Sequence, residues 1–263
     1  MPETRVFDQP HYQSIDEARK PLLREVLSRW KQQLGLQTAI DVGCGAGHFS
    51  VLLRDLGFQL MAIDGRQDNV EEARRRCPGI EIQTADVEDS ALAQLGAFDL
   101  VLCLGLLYHL ENPFRSIRNL RELTSKLLVI ESMCTTEELP VLHLREEGPT
   151  EDQGLRHIAF YPSEACLVKM LYKAEFSSVF RFCRMPDHED FRATHFRRQA
   201  RTMLVASREP FRSGFLTLLG EPAGVSDPWT RPWAKAWEPV QRLGHLMAKP
   251  WPWKMEKIRK YLG

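Results

Sequence analysis

A chain of 263 residues with 43% hydrophobic content is long enough for one core-forming domain of about 200 residues and an appendage. The 35 Lys and Arg balance 35 Asp and Glu, so net charge points to neither a nucleic acid nor a membrane partner. Six scattered cysteines (Cys44, Cys77, Cys103, Cys134, Cys166, Cys183) form no CxxC pair and stand at no metal-ligand spacing with histidine, and no apolar run approaches the ~20 residues of a membrane span, which argues for reduced thiols in a cytoplasmic protein without metal, disulfide framework or transmembrane segment.

In chain order, Ser14-Ile15-Asp16-Glu17 reads as a capping box that opens a helix towards Leu34, with a break near Lys20 because Pro21 falls inside it. From Thr38 onward, short apolar runs alternate with amphipathic stretches. Strands are predicted over Thr38–Val42, Gln59–Ile63, Ile80–Thr84, Phe98–Leu104 and Lys126–Ile130. Helices are predicted over His48–Leu56, Asp68–Arg76, Asp89–Leu95 and Pro113–Leu123, the last opened by the turn and first-position proline of Asn112-Pro113. This alternation predicts a doubly wound α/β fold with parallel pairing and right-handed crossovers. Ser132–Phe160 is a polar excursion without clear periodicity beyond a strand's carboxyl end, where substrate lids are commonly placed. Pro162-Ser163-Glu164 opens a further helix through Ala174, and Ser178–Phe182 and Thr202–Ala206 complete the sheet. The chain thus divides into a leader (1–37), a main domain (38–206) and an extension (207–263).

Asp41-Val42-Gly43-Cys44-Gly45-Ala46-Gly47 ends the first strand and leads directly into a helix. Glycines there permit a tight turn and let backbone amides approach a ligand at the helix N-terminus. Asp64 closes the next strand 21 residues after Gly43, beside Gly65, where a carboxylate can accept from both hydroxyls of a ribose. Dinucleotide binders favour GxGxxG; here the glycines follow GxGxG, and His48 takes the third dinucleotide position. Asp41 would repel a pyrophosphate yet suit the ammonium of a methionine moiety, which favours S-adenosyl-L-methionine over a nicotinamide dinucleotide. After the third strand, Asp86 could accept from an adenine amino group, and Val87 could pack on the ring.

The run Asp41–Gly47 together with Asp64, Asp86 and Phe98-Asp99-Leu100-Val101-Leu102 resembles the class I S-adenosylmethionine-dependent methyltransferases over about Thr38 to Ala206. That resemblance implies a seven-stranded, mostly parallel sheet whose last strand is antiparallel, with cofactor at the carboxyl ends of the first strands. A narrower similarity lies in Leu104-Gly105-Leu106-Leu107-Tyr108-His109-Leu110-Glu111-Asn112-Pro113 and Arg156-His157-Ile158-Ala159-Phe160-Tyr161-Pro162-Ser163, which resemble the tRNA wobble-uridine carboxymethyltransferase group. It implies that Leu104 and Tyr108 line the cofactor site, that the cofactor could be a carboxylated form, and that Lys20 is the counterpart of one basic contact.

Methyl transfer from a sulfonium is an in-line displacement, in which the protein aligns the acceptor and excludes water. Tyr108 and His109 follow the fourth strand at the edge where the methyl group should project, and His109 is the candidate base for a hydroxyl acceptor. His143 and His157 are reserve candidates, while Cys44 and Cys103 read as small buried residues. In the extension, Trp229 to Gly263 carries eight Lys or Arg against two Glu, with Trp229, Trp233 and Trp237 four apart. That pattern fits either a clasp docked on the domain or a surface for tRNA or an anionic lipid. Three readings stay open: a methyltransferase on a small-molecule or glycan acceptor, a tRNA-modifying enzyme, and a non-catalytic cofactor-binding module whose cleft would be closed by side chains.

Overall fold

The leader folds as one long helix, because its apolar residues recur on a single face and both ends are stopped by local chemistry. In the computed structural model, which describes residues 6–147, 154–193 and 199–223, α1 runs from Pro10 to Leu34. It opens on a proline in its first turn and closes on Gly35 at φ 61°, whose amide donates to the Lys31 carbonyl. The capping-box expectation is corrected here: Ser14 lies inside the helix, its hydroxyl donating to the His11 carbonyl. The break expected near Lys20 is absent as well. Pro21 deletes one backbone hydrogen bond, but Ile15, Leu22, Leu23, Val26, Leu27 and Trp30 are all buried on both sides of it, and that burial offsets the loss.

Five apolar runs then become parallel strands: β1 (Thr38–Val42), β2 (Gln59–Asp64), β3 (Glu81–Thr84), β4 (Phe98–Leu104) and β5 (Thr124–Met133). The crossovers are α2 (His48–Asp55), α3 (Gln67–Arg76), a 3-10 segment over Ser90–Leu95 and α4 (Pro113–Leu123). The third crossover was expected as a helix from Asp89. Asp89 instead caps the tighter segment, accepting from the Ala91 amide at 2.9 Å.

The excursion after β5 is not structureless. It contains a two-stranded antiparallel ribbon, β6 (Leu142–Glu146) with β7 (Ile158–Pro162). Ser163 then caps α5 (Glu164–Lys173) by accepting from the Cys166 amide. The main sheet is completed by β8 (Ser178–Phe182), β9 (Arg201–Ser207) and β10 (Leu216–Leu219), in the spatial order β10-β8-β9-β5-β4-β1-β2-β3. β9 runs antiparallel to β5, as expected of the last strand of this fold. The sheet has eight strands rather than seven, because β10, from the stretch assigned to the extension, pairs antiparallel with the edge of β8.

By its contacts the chain divides into two compact units, 1–222 and 223–263; every element above lies in the first, and the basic, Trp-rich stretch Trp229–Gly263 lies outside the described residues. Among the described residues no helix is long and apolar enough to cross a membrane. Each central strand splits its side chains between two cores. Leu100 and Leu102 face α1 and α2, with Leu23, Leu27, Trp30 and Leu53. Val101 and Cys103 face α4 and α5, with Ile117, Leu120, Leu167 and Leu171. The order of connection reverses between β1 and β4, and the crevice at their carboxyl ends is where an open α/β sheet binds ligands.

Trp30 tests how firmly α1 belongs to this unit. It is fully buried, stacks on Phe182 with centroids 6.0 Å apart and donates from Nε1 to Ser213 Oγ at 3.1 Å. Trp30→Ala should lower unfolding free energy by about 3–5 kcal/mol in a urea titration, the range for a buried aromatic truncated to alanine. A loss below about 1 kcal/mol would mean that the helix docks only loosely.

Candidate active site

At the end of β1 the chain must reverse into α2 within a few residues. Gly43, Gly45 and Gly47 do this with φ of 74°, 52° and 87°, a region that side chains disfavour. Space is short too. A Cβ on Gly43 would lie 2.8 Å from Leu106, one on Gly45 2.7 Å from Phe7, and one on Gly47 would run into the Cys77 sulfur. The turn's amides are largely spent within the protein: Gly43 and Cys44 donate to the Ile63 carbonyl, Gly45 to Asp64 and Gly47 to the Cys44 carbonyl. The turn therefore contributes close backbone approach more than a row of free donors.

The cleft that opens beyond it has an empty volume of about 1050 Å³ including its mouth. Gly43, Cys44, Asp64, Gly65, Asp86, Val87, Leu104, Tyr108 and His109 all line it. Asp64 is nearly buried, and its carboxylate accepts from the amides of Gly45 and Arg66, each at 2.9 Å, and from Asn69 at 3.1 Å. Burial raises its pKa above the ordinary range while those three donors pull it back. Asp86 accepts from the Glu88 amide at 2.9 Å in a tight turn, and Val87 is buried beside it. Cys44 is held as a protonated thiol, because burial drives its pKa far up, and it offers no nucleophile.

Three expected positions fall outside the lining: Asp41, Gly45 and Gly47. Asp41 lies behind the turn, buried, accepting from Ser50 Oγ at 2.6 Å. Among the described residues, the acid that does face the cleft from that side is Asp16 of α1, an acid not singled out from the sequence. It accepts from Arg19 at 2.5 Å and lies 2.9 Å from His48 Nδ1; those two partners hold its carboxyl below the usual range against the effect of burial. Lys20 pairs with exposed Glu17 on the helix surface, and Arg19 is the basic residue of α1 that lines the cleft.

Arg19 belongs to a buried charge network. Its guanidinium donates to Glu131 at 2.6 Å, and the other oxygen of Glu131 accepts from Arg201 at 3.0 Å. Arg201 also reaches Asp190 at 3.4 Å and the Tyr108 hydroxyl at 3.5 Å. Burial works against its charge, but Tyr108 and Glu131 outweigh that and hold the guanidinium well above the ordinary arginine range. Tyr108 meets Tyr161 of β7 edge-on at 5.8 Å, so the ring is fixed from two sides. His109 is buried next to it, with Nδ1 paired to the carboxylate of Glu147. Of the reserve histidines, His143 pairs with Glu137 on the exposed side of the ribbon, and neither it nor His157 lines the cleft.

Two side chains lie against the cleft edges, Phe7 over Gly45 and Leu155 over Gly65. They narrow the cleft without filling it. Sequence reasoning missed Phe7, Asp16, Arg19, Glu131, Glu147 and Arg201. Three carried a readable signal: Asp16 and Arg19 are one helical turn apart on an otherwise apolar face, and Glu131 ends the apolar run Leu127–Ile130.

Residues 40–126 match a family model described as a methyltransferase domain. The chain is 35% identical over 105 residues to the ubiquinone biosynthesis O-methyltransferase of Xanthomonas axonopodis pv. citri, a match covering 38% of this chain and 44% of that protein. With the enzyme of the same name from Xanthomonas campestris pv. campestris it is 37% identical over 83 residues, covering 30% and 35%. The chain thus spans less than half the length of these relatives. Among solved structures, the N-terminal domain of EvdMO1, determined in the presence of SAH and D-fucose, superimposes with a TM-score of 0.57 at 24% identity over 77% of this chain and 85% of that one. Magnesium protoporphyrin IX methyltransferase from Synechocystis PCC 6803, with bound SAM, gives 0.51 at 21% identity over 79% and 86%. The sheet order and these likenesses establish the Rossmann-like methyltransferase fold. They carry the broad likeness and not the narrower one to the tRNA wobble-uridine group.

Asp41 makes a measurable consequence of its burial. Desolvation, offset in part by Ser50, pushes its pKa up to about 7 from the ordinary 3.8. Between those two values the folded chain keeps a proton that the unfolded chain has lost, so this residue's contribution to stability falls as pH rises through the window and is flat above it. Asp41→Asn should remove that slope, leaving urea midpoints less dependent on pH between about 4 and 7. An unchanged slope would place the carboxylate in contact with water.

Proposed function

We propose that this chain is an S-adenosylmethionine-dependent methyltransferase acting on an oxygen of a small-molecule or glycan acceptor. The observation that carries the reading is a convergence at one end of the sheet. The positive-φ glycine turn follows β1, the Asp64 carboxylate ends β2, and Asp86-Val87 follows β3, all on one cleft. The donor set fits the cofactor: Asp64 for ribose hydroxyls, Asp86 with Val87 for an adenine edge and face, and the oppositely charged Asp16 and Arg19 for a zwitterionic amino-acid end. When bound, the cofactor supplies an electrophilic methyl group on a sulfonium.

The chain's own residues then orient the acceptor and manage its proton. Tyr108, fixed by Arg201 and Tyr161, forms a rigid aromatic wall that shuts out water. His109 lines the cleft beside Tyr108 and offers an imidazole nitrogen that can accept the acceptor's hydroxyl proton. The named relatives methylate oxygen, which supports that acceptor atom. The tRNA reading drew on the likeness of Leu104–Pro113 and Arg156–Ser163 to the wobble-uridine group and on the tail; the family match carries only the broader methyltransferase likeness, and the tail lies outside the described residues.

Calorimetric titration separates the cofactor classes, with adenosylmethionine binding and NAD not binding. Binding of NAD alone would overturn the proposal. Asp64→Ala should weaken adenosylmethionine binding at least about tenfold, equivalent to about 1.4 kcal/mol and within reach of one lost charge-assisted hydrogen bond. His109→Ala should leave that affinity within about twofold, a change worth less than 1 kcal/mol.

A further inference from the structure

We infer that Glu147 is a positioning residue for His109, holding the proton on Nδ1 and so leaving Nε2 as the nitrogen that takes a proton from the acceptor. The inference rests on the reading of the cleft as a methyl-transfer site and names a residue of its machinery. It starts from burial: the side chains of both residues are nine-tenths or more buried, and Nδ1 is paired with a Glu147 oxygen. An acid in such a place persists only with a partner, and Nδ1, in contact with Glu147 and with no other hydrogen-bond partner among the described residues, is the ring nitrogen placed to donate to it.

The second carboxylate oxygen is fixed independently. It accepts from the Gly154 amide at 3.2 Å. Gly154 sits so close that a Cβ there would lie 2.9 Å from that oxygen and 2.9 Å from the His109 carbonyl. The insert between β5 and α5 thus brings an acid and a glycine against the residue following Tyr108, and β7 packs on the same turn, Leu107–His109. The other ionisable groups nearby are Tyr108, its ring tilted 42° to that of His109 with centroids 4.2 Å apart, and Glu111 with Arg156, exposed and 3.7 Å apart.

In the proton step, the acceptor's O–H bond breaks, its electron pair stays on oxygen, and the proton bonds to Nε2. The imidazolium formed is balanced by Glu147, and the negative charge left on the acceptor oxygen is the electron pair that would form the new bond to the methyl carbon. The Gly154 contact makes the consequence of substitution specific. In Glu147→Gln the amide oxygen would satisfy the Gly154 N–H, so the amide NH2 faces Nδ1 and forces the proton to Nε2.

The test is the ring tautomer of His109, read from long-range 15N correlation spectra of the full-length, 15N-histidine-labelled chain, with His109→Ala for assignment. The wild type should show the Nδ1–H form. Glu147→Gln should convert it to Nε2–H, and Gly154→Ala, which displaces the same carboxylate, should lose the Nδ1–H signal. A wild-type Nε2–H form, or an Nδ1–H signal unchanged in both variants, would overturn the inference. Adenosylmethionine affinity, measured on the same samples, should be unchanged in Glu147→Gln. Absence of cofactor binding in the wild type would sink the proposed function while leaving the tautomer result to decide the role of Glu147.

Discussion

The structure depends on one buried carboxylate shared by two guanidinium groups. Glu131 is inaccessible to solvent at the end of β5, with Arg19 of α1 on one oxygen and Arg201 of β9 on the other. A lone charge there would be untenable, and removing one partner of such a pair typically costs about 3–5 kcal/mol. The network therefore comes as a set. It fixes the leader helix, the middle of the sheet and the antiparallel strand to one another just where the cleft opens, and through Arg201 it fixes Tyr108. Asp16 and Asp190 add two further carboxylates, so the cluster holds three acids against two guanidinium groups. Its local balance is slightly acidic, which suits the cationic end of an amino acid better than a pyrophosphate.

Much of the sheet was legible because burial writes a plain pattern. Phe98–Leu104 and Thr38–Val42 are runs of apolar residues with turn signals at both ends, and the structure reproduces both bounds. Pro113–Leu123 was equally clear, with a proline at its start and an apolar stripe. The failures share a different cause. Every residue of β6 is exposed, so Leu142 and Leu144 alternate with His143 and Arg145 without a core to enforce the pattern. β10 is four residues at a sheet edge, too short for its alternation to stand out. In α1 the local proline and capping rules were outvoted by tertiary burial, which propensity arguments do not see.

The site divides along the same line. Gly43, Asp64, Asp86 and Tyr108 sit at strand ends on one stretch of chain, so spacing alone could place them. Arg19 and Arg201 reach the cleft from elements 182 residues apart in sequence, Glu147 reaches His109 from the insert after β5, and no spacing rule links them. Asp41 is the reverse case. Its position next to the glycine turn suggested ligand contact, but a strand alternates its side chains between faces, and that of Asp41 points behind the turn to Ser50.

That division bears on how specificity would arise. The methyltransferase-domain match covers residues 40–126, which hold the glycine turn, Asp64, Asp86 and the Tyr108-His109 pair. Other groups that face the cleft, among them Phe7, Asp16, Arg19, Leu155 and Arg201, lie outside it, as does Glu147. Likeness to a relative within the matched stretch therefore constrains how a cofactor is held far more than which acceptor is admitted. The helix before β1 and the insert after β5 supply cleft walls beside Tyr108 and His109 from outside the stretch that the family model matches.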